Sequence, residues 1–281
     1  MNSFELNWAD VEKIIDLALE EDIGQGDLTT ELLFPETIKC AAVIRCKENG
    51  ILAGLPIAKA VFEKLDESVE LIGQKKDGDS IKDGDVIVNI EGSQKHILTG
   101  ERLALNILQR LSGIATITSK YVDAVKGYNV KILDTRKTIP GIRILSKYAV
   151  SVGGGYNHRM GLFDGILIKD NHIKLAGGIK KAVEMIKKNV HSNHSIEVET
   201  SSLDQVTQAI DAGADIIMLD NMSDDLMKEA VSLIGKKALI EASGGITLDR
   251  VGIVAKMGVD FISIGALTHS AQALDISLDM I

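Results

Sequence analysis

Two rhythms divide the chain. From about Ile132 onward a short, branched apolar run is followed by a polar residue and a stretch with helical spacing, and the cycle repeats. The runs are "VKILDTRK", "GILIKDNH", "SIEVETS", "DIIMLDN", "ALIEASGG" and "FISIGA". Between them lie "GIKKAVEMIKKN", "SLDQVTQAIDAGA", "SDDLMKEAVSLIG" and "TLDRVGIVAKMG", several opening on a Ser or Thr suited to cap a helix N-terminus. Alternation at intervals of roughly 20–35 residues predicts parallel βα units, closed or partly closed into a barrel. The runs show little in/out alternation, which predicts strands buried on both faces. About six runs fall short of the eight of a complete barrel, so an incomplete parallel α/β barrel is expected over residues 113–267.

The first hundred residues have another pattern. "WADVEKIIDLALEED" places Val11, Ile14, Ile15, Ala18 and Leu19 on one side of a helix. "AAVIRCKENGILAG" and "VELIGQKKDGDSIKDGDVIVNIEGS" read as strands broken by Gly- and Asp-rich turns, with "IAKAVFEKLD" as a helix between them. These predict an α+β sandwich module over residues 1–112. A return of the C-terminal segment 268–281 to that module is one arrangement the pattern allows. "GERLALNILQRLSGIATITSKYVDAVKG" is an apolar-striped helix or helix pair that bridges the two modules.

Composition narrows the function classes. The 281 residues are 45% hydrophobic and 25% charged, ordinary for a globular protein, and carry a net charge of -9. Such an acidic chain does not suit general nucleic-acid binding, which needs a basic face. No stretch has the length of a transmembrane helix and the N-terminus lacks a signal peptide's apolar core, so a cytoplasmic protein with no membrane partner is expected. Cys40 and Cys46, six apart on one predicted strand, are too distant for a disulfide and are expected as free thiols. His191 and His194 in "VHSNHS" have metal-like spacing but sit in a polar loop, and are expected at the surface.

The acidic balance makes the segment "NHRMGLFDGILIKDNH" (157–172) stand out, because it gathers His158, Arg159, Lys169 and His172 around a buried run. Parallel α/β folds bind ligands at the carboxyl ends of their strands. There the six runs offer Asp134, Thr135, Arg136 and Lys137; Lys169; Glu197 and Glu199; Asp220 and Asn221; Glu241, Ser243, Gly244 and Gly245; Ser263 and Gly265. Of Glu197 and Glu199, only one is expected to face the interior. Each residue alone has a structural reading as an ion-pair partner, helix cap or turn. Their coincidence at equivalent positions points instead to a polyanionic ligand. Arg and Lys would bind carboxylates and phosphates, carboxylates would hold Mg²⁺ bridging to phosphate, and glycine loops would admit phosphate oxygens to backbone N–H groups.

"TRKTIPGIRILSKYAVSVGGGYNHRMGLFDGILIKDNHI", with "EVE", "IMLDN", "EASGGIT", "EDIGQGDLTT" and "GERLALNILQRLSGIAT", resembles the quinolinate phosphoribosyltransferase family over nearly the whole chain. The resemblance implies an N-terminal α+β domain and an incomplete barrel. It also implies transfer of phosphoribose from phosphoribosyl pyrophosphate to quinolinate with decarboxylation, using Mg²⁺ and no organic cofactor. The products would be nicotinate mononucleotide, CO2 and pyrophosphate, in NAD biosynthesis. Thr135, Arg136, Lys137, His158, Arg159 and Lys169 would form the substrate cluster. Glu199 and Asp220 would lie on the ribose and metal side, which picks Glu199 over Glu197, and Ser243, Gly244, Gly245, Ser263 and Gly265 would form the phosphate loops. Lys137, Glu199 and Asp220 are the expected catalytic groups. Arg102 would complete the site of a neighbouring subunit, so a homodimer or higher homo-oligomer is implied.

Other readings stay open on sequence alone. One is a related phosphoribosyltransferase with another acceptor, such as the molybdate-operon relatives or a nicotinate-using enzyme. Another is a phosphate-ligand sensor without catalysis, which could dispense with Lys137, Glu199 and Asp220. A third is an aldolase or isomerase with Lys169 as a Schiff-base lysine.

Overall fold

The computed structural model describes residues 4–34, 38–190 and 194–281. It divides into two compact units, the first made of Met1–Ser119, Thr138–Gly154 and Ala266–Ile281, the second of Lys120–Lys137 and Gly155–Gly265. The boundary expected between residues 112 and 113 therefore falls inside a helix, and residues 138–154, expected in the barrel, belong with the first unit.

That first unit contains α1 (Trp8–Ile23), α2 (Leu28–Leu33), β1 (Lys39–Cys46), β2 (Gly50–Ile51), α3 (Leu55–Leu65), β3 (Glu70–Gly73), β4 (Ser80–Ile81), β5 (Val86–Ser93) and most of α4 (Gln94–Ala124). Its main sheet pairs β1 with β5 and β5 with β3, all antiparallel. Alternation puts Ala42, Ile44, Val88 and Ile90 in a core closed by Val11 and Ile15 of α1 and by Ile57, Val61 and Phe62 of α3. The first turn of α3 is capped by Asp77, whose carboxylate accepts from the N–H groups of Gly54 (2.7 Å) and Leu55 (2.9 Å). Tyr148 donates its hydroxyl to the same carboxylate at 2.7 Å. Tyr148 lies on α5 (Arg143–Val152), which also buries Leu145, Ala149 and Val150, and this explains why the segment sits here. Cys40 and Cys46 are free thiols on β1.

The last strand, β12 (Ile276–Met280), adds to the outer edge of β1, with Ile44 opposite Leu278. The approach to it is strapped to α4. Arg110 donates to the carbonyls of Ala271 and Thr268, and Gln109 donates to that of Ile276 at 2.8 Å. Gly113 makes this possible, because a Cβ there would run into the carbonyl of Gln272.

Six parallel strands form the second unit's sheet among the described residues: β6 (Lys131–Leu133), β7 (Ile166–Ile168), β8 (Ile196–Thr200), β9 (Ile216–Asp220), β10 (Leu239–Ser243) and β11 (Phe261–Ser263). Their order is β6-β11-β10-β9-β8-β7, so the first strand in the chain joins the far side of the last. That is a barrel wall. It stays open because β6 carries Tyr156 on its other side through a single parallel bridge to Leu133, and no ladder joins it to β7. The connections are α6 (Asp170–Ala176), α7 (Ile179–Asn189), α8 (Leu203–Ala212), α9 (Asp224–Ile234) and α10 (Leu248–Lys256), while α11 (Ala266–His269) counts with the first unit. Ser202 and Ser223 cap α8 and α9 through their side chains. No helix of the described residues is long and apolar enough to cross a membrane.

Alternation in the barrel strands is clearer than the sequence suggests. One face carries Ile132, Ile196, Val198, Ile217, Leu219, Ile240, Ala242 and Ile262, all buried. On the other, the register sets Leu167 beside Glu197, aligns Glu199, Met218, Glu241 and Phe261, and aligns Asp220, Ser243 and Ser263. Residues two apart share a face, so Glu197 and Glu199 both belong to this polar one. The expectation that only one would do so is wrong.

Gly113→Ala should destabilise the protein by about 1–3 kcal/mol, since the added methyl group meets backbone that cannot rotate away. Urea unfolding would show a lower midpoint with an unchanged slope.

Candidate active site

The polar face opens into a cavity of about 300 Å³ lined by Thr135, Arg136, Lys137, His158, Arg159, Leu167, Lys169, Glu199, Met218, Asp220, Glu241, Ser243 and Ser263. Ten of the sequence-predicted residues are thus brought together. Gly244 and Gly245 follow Ser243, and Gly265 follows Ser263, without lining the cavity themselves. Arg102 is not part of it. That residue lies on α4 in the first unit, at a separate hollow with Asp22, Asp27 and Thr99. His191 lies outside the described residues, and His194 is exposed.

Two loops bring the cations. After β6 the Thr135 hydroxyl accepts from the Lys137 N–H at 3.0 Å, turning the chain so that Arg136 is half-buried and Lys137 exposed. The Arg136 Nε is buried and has no hydrogen-bond partner among the described residues. The second loop is built on Asp134, which is fully buried. Its carboxylate accepts from the Asn157 side chain (2.6 Å) and the His158 N–H (2.9 Å). Arg159 then donates Nη1 to the Gly165 carbonyl at 2.9 Å. Burial first, and then the neighbouring Arg136 charge, lower the Arg159 pKa. Two like charges are being held at close quarters, a state that favours an anion between them.

Across the cavity stand the acids. Lys169 reaches Glu199 at 3.8 Å, a loose pair with the lysine 47% exposed. Burial raises the pKa of Glu199, Lys169 opposes this, and the Asp220 charge adds to the rise. Asp220 accepts from the Asn221 side chain at 2.8 Å. Asn221 has φ 53, a left-handed conformation that Asn tolerates better than most residues. Gly244, at φ +89, packs so closely on Asn221 that a Cβ would overlap its side-chain amide. The glycine of "SGG" is therefore required by this contact as well as by its own backbone.

Beneath the rim lies a cluster of His158 with Glu197 and Glu241, two strand-end residues to which the resemblance gave no role. The His158 Nε2 is 3.1 Å from Glu197 and 3.6 Å from Glu241, and one ligand atom from each of the three lies within 4.8 Å of the others. Burial, then the adjacent Glu197 charge, push Glu241 far above the ordinary carboxylate range. The signal for these residues was present in period two: Glu197 precedes Glu199 by two positions, and Glu241 precedes Ser243 by two.

Two acidic sets could in principle meet a metal. In the buried cluster the imidazole N–H points at Glu197, so that nitrogen has no lone pair to offer. Glu199 and Asp220 are hard oxygen donors that face the cavity, and the Asp220 charge raises the proton affinity of Glu199, a combination that fits a divalent cation such as Mg²⁺.

The quinolinate phosphoribosyl transferase N-terminal domain model matches residues 27–112 and the C-terminal domain model matches residues 114–279. The chain belongs to the quinolinate phosphoribosyltransferase family. The carboxylating "Probable nicotinate-nucleotide pyrophosphorylase" of Bacillus subtilis (strain 168) is 46% identical over 98% of this chain and 95% of its own length. A mitochondrial decarboxylating quinolinate phosphoribosyltransferase of Nicotiana tabacum is 41% identical over 96% of this chain and 82% of its own. The structure of a nicotinate-nucleotide pyrophosphorylase from Francisella tularensis superposes with a TM-score of 0.94 at 44% identity, covering 99% of this chain and 98% of that one. In this chain the rim cations, Glu199, Asp220, Ser243 and Ser263 line a single cavity.

A buried carboxyl with a raised folded-state pKa contributes stability that is present below its unfolded value of 4.5 and is lost as pH rises towards the folded value, about 8 for Glu241. The contribution of Glu241 to wild-type stability should therefore slope downward as pH rises from about 5 towards 8. Glu241→Gln should flatten that slope. Urea midpoints measured at intervals across this range would show it.

Proposed function

We propose that this protein transfers the phosphoribosyl group of phosphoribosyl pyrophosphate to quinolinate, releasing pyrophosphate and CO2 and leaving nicotinate mononucleotide. One observation carries the reading: Arg136, Lys137, Arg159 and Lys169 face Glu199 and Asp220 across one cavity, in a member of this family. Quinolinate brings two carboxylates and its co-substrate brings phosphate and pyrophosphate, so the cavity must offset several negative charges at once. Arg136 and Arg159, both half-buried, suit the planar carboxylates, which they can grip in a bidentate manner. Lys137 and Lys169 are exposed point charges that suit phosphate oxygens.

Glu199 and Asp220 would hold Mg²⁺, which when bound neutralises charge on the pyrophosphate leaving group. The same carboxylates face the sugar, where positive character develops at C1 as the C1–O bond breaks. The pyridine nitrogen donates its lone pair to C1. The ring, now a pyridinium, accepts the electron pair left when the adjacent carboxylate departs as CO2, and a proton replaces it. The chain needs to supply no covalent nucleophile. Ser243 and Ser263, with the glycines after them, offer hydroxyl and backbone N–H donors for phosphate.

The same reading includes a cytoplasmic homodimer or larger homo-oligomer in which Arg102 completes a neighbour's site. Its support is that Arg102 does not line the cavity while belonging to the resemblance that identified the others.

Purified protein with phosphoribosyl pyrophosphate and Mg²⁺ should form nucleotide and CO2 in equal amounts from quinolinate and none from nicotinate. Product from nicotinate alone would overturn the acceptor, and silence with both would overturn the activity. Lys137→Ala should lower kcat by about 10²–10³, the usual loss for one preorganised charge-stabilising group. Arg102→Ala and Lys137→Ala subunits, each weak alone, should regain activity when mixed. No recovery in demonstrably mixed oligomers would refute the shared site.

A further inference from the structure

His158 lines the cavity, yet both of its ring nitrogens are already engaged by the protein. Nδ1 lies 2.8 Å from the backbone N–H of Arg159. A backbone N–H can only donate, so Nδ1 is the accepting nitrogen and the ring proton is on Nε2. The Nε2–H points at Glu197 Oε2, 3.1 Å away, with Glu241 Oε1 at 3.6 Å. Both glutamate side chains are more than nine-tenths buried, and each keeps an oxygen (Oε1 in both) without a hydrogen-bond partner among the described residues. Glu197 attracts the Arg159 charge and Glu241 pairs with Ser263, and their burial beneath a cationic rim calls for a further reason.

Arg159 explains it. Its guanidinium is pulled by the Gly165 carbonyl and repelled by Arg136. Its backbone would be free to retreat were its N–H not held by the imidazole. We propose that Glu197, Glu241 and His158 form a hydrogen-bond relay that fixes the backbone of Arg159 for a substrate carboxylate, making His158 a positioning residue and not a ligand of the substrate. Glu197 sets the tautomer by accepting the Nε2 proton, Glu241 closes the pocket around that bond, and the tautomer in turn presents Nδ1 to Arg159. This rests on the acceptor being a carboxylate-bearing substrate, as proposed above.

The chain supplies a guide to the test. Asp170 Oδ1 accepts from the N–H of the next residue, Asn171, at 2.7 Å, the same side-chain-to-next-residue bond that His158 makes. Asparagine at position 158 can therefore reproduce the acceptor, whereas glutamine reaches towards Glu197 but leaves the Arg159 N–H unmet. His158→Gln should raise the quinolinate KM about tenfold, the worth of one hydrogen bond, with the phosphoribosyl pyrophosphate KM and kcat nearly unchanged. His158→Asn should recover most of that loss. Equal defects in the two variants, or a loss concentrated in kcat, would overturn the relay, the latter by placing His158 on the reacting atoms. Imidazole ¹⁵N NMR of the full-length wild-type protein, with His158→Gln identifying the resonances, decides the tautomer without substrate. A neutral ring protonated at Nε2 supports the relay, and a proton on Nδ1 refutes it. Wild-type protein inactive on quinolinate would sink the proposed activity and leave the NMR result to judge the relay.

Discussion

Period-two alternation in the parallel barrel strands is the constraint on which the site depends. One face of each strand must satisfy the surrounding helices, and in this chain Val, Ile, Leu and Ala fill it. The acidic strand residues are thereby driven to the interior, and four carboxylates, those of Glu197, Glu199, Asp220 and Glu241, end up on one face. Two ionised carboxylates about 4 Å apart repel by about 4 kcal/mol at an effective dielectric of 20. The unit relieves this in three ways. An imidazole N–H serves Glu197, an ammonium approaches Glu199, and burial keeps Glu241 protonated into a range where carboxylates are normally ionised.

The cationic rim is the mirror problem. Arg136 and Arg159 repel each other, and their loops do not rely on their own charges for shape. Asp134, wholly buried, organises the turn of Asn157 and His158, and Asp164 accepts from the N–H groups of Met160 and Gly161. These aspartates shape the loops through the hydrogen bonds they accept, and Asp164 also attracts the Arg159 charge.

Much of this was legible because strand-end residues in βα units fall at repeated offsets. Eight of the ten predicted residues that line the cavity do so for that reason, while His158 and Arg159, on the loop before β7, came from the resemblance. What was not legible had two causes. Facing was misjudged at Glu197 and Glu199, where an "apolar run" hid a strict alternation of apolar and acidic positions. Long-range pairing was beyond local pattern. Nothing in "RILSKYAVSV" says that Tyr148 will reach Asp77, seventy-one positions earlier, or that the helix will leave the barrel. For "DISLDM", alternation was visible but its partner strand was not. The Gly113 contact with Gln272 could be understood only once the returning segment was in place.

The division of the rim cations follows from these supports. Arg159 is fixed at its backbone by His158 and at its guanidinium by Gly165, and Arg136 has a buried Nε. Lys137 and Lys169 are exposed, and Lys169 makes a loose ion pair with Glu199 at 3.8 Å. Rigid forks hold a planar dianion at low entropic cost because they are already in place. Flexible ammonium groups can follow a leaving group as its charge grows and moves. Under the proposed reaction the acceptor must be held still while the pyrophosphate departs, and the cavity distributes its half-buried and exposed cations in keeping with those two requirements.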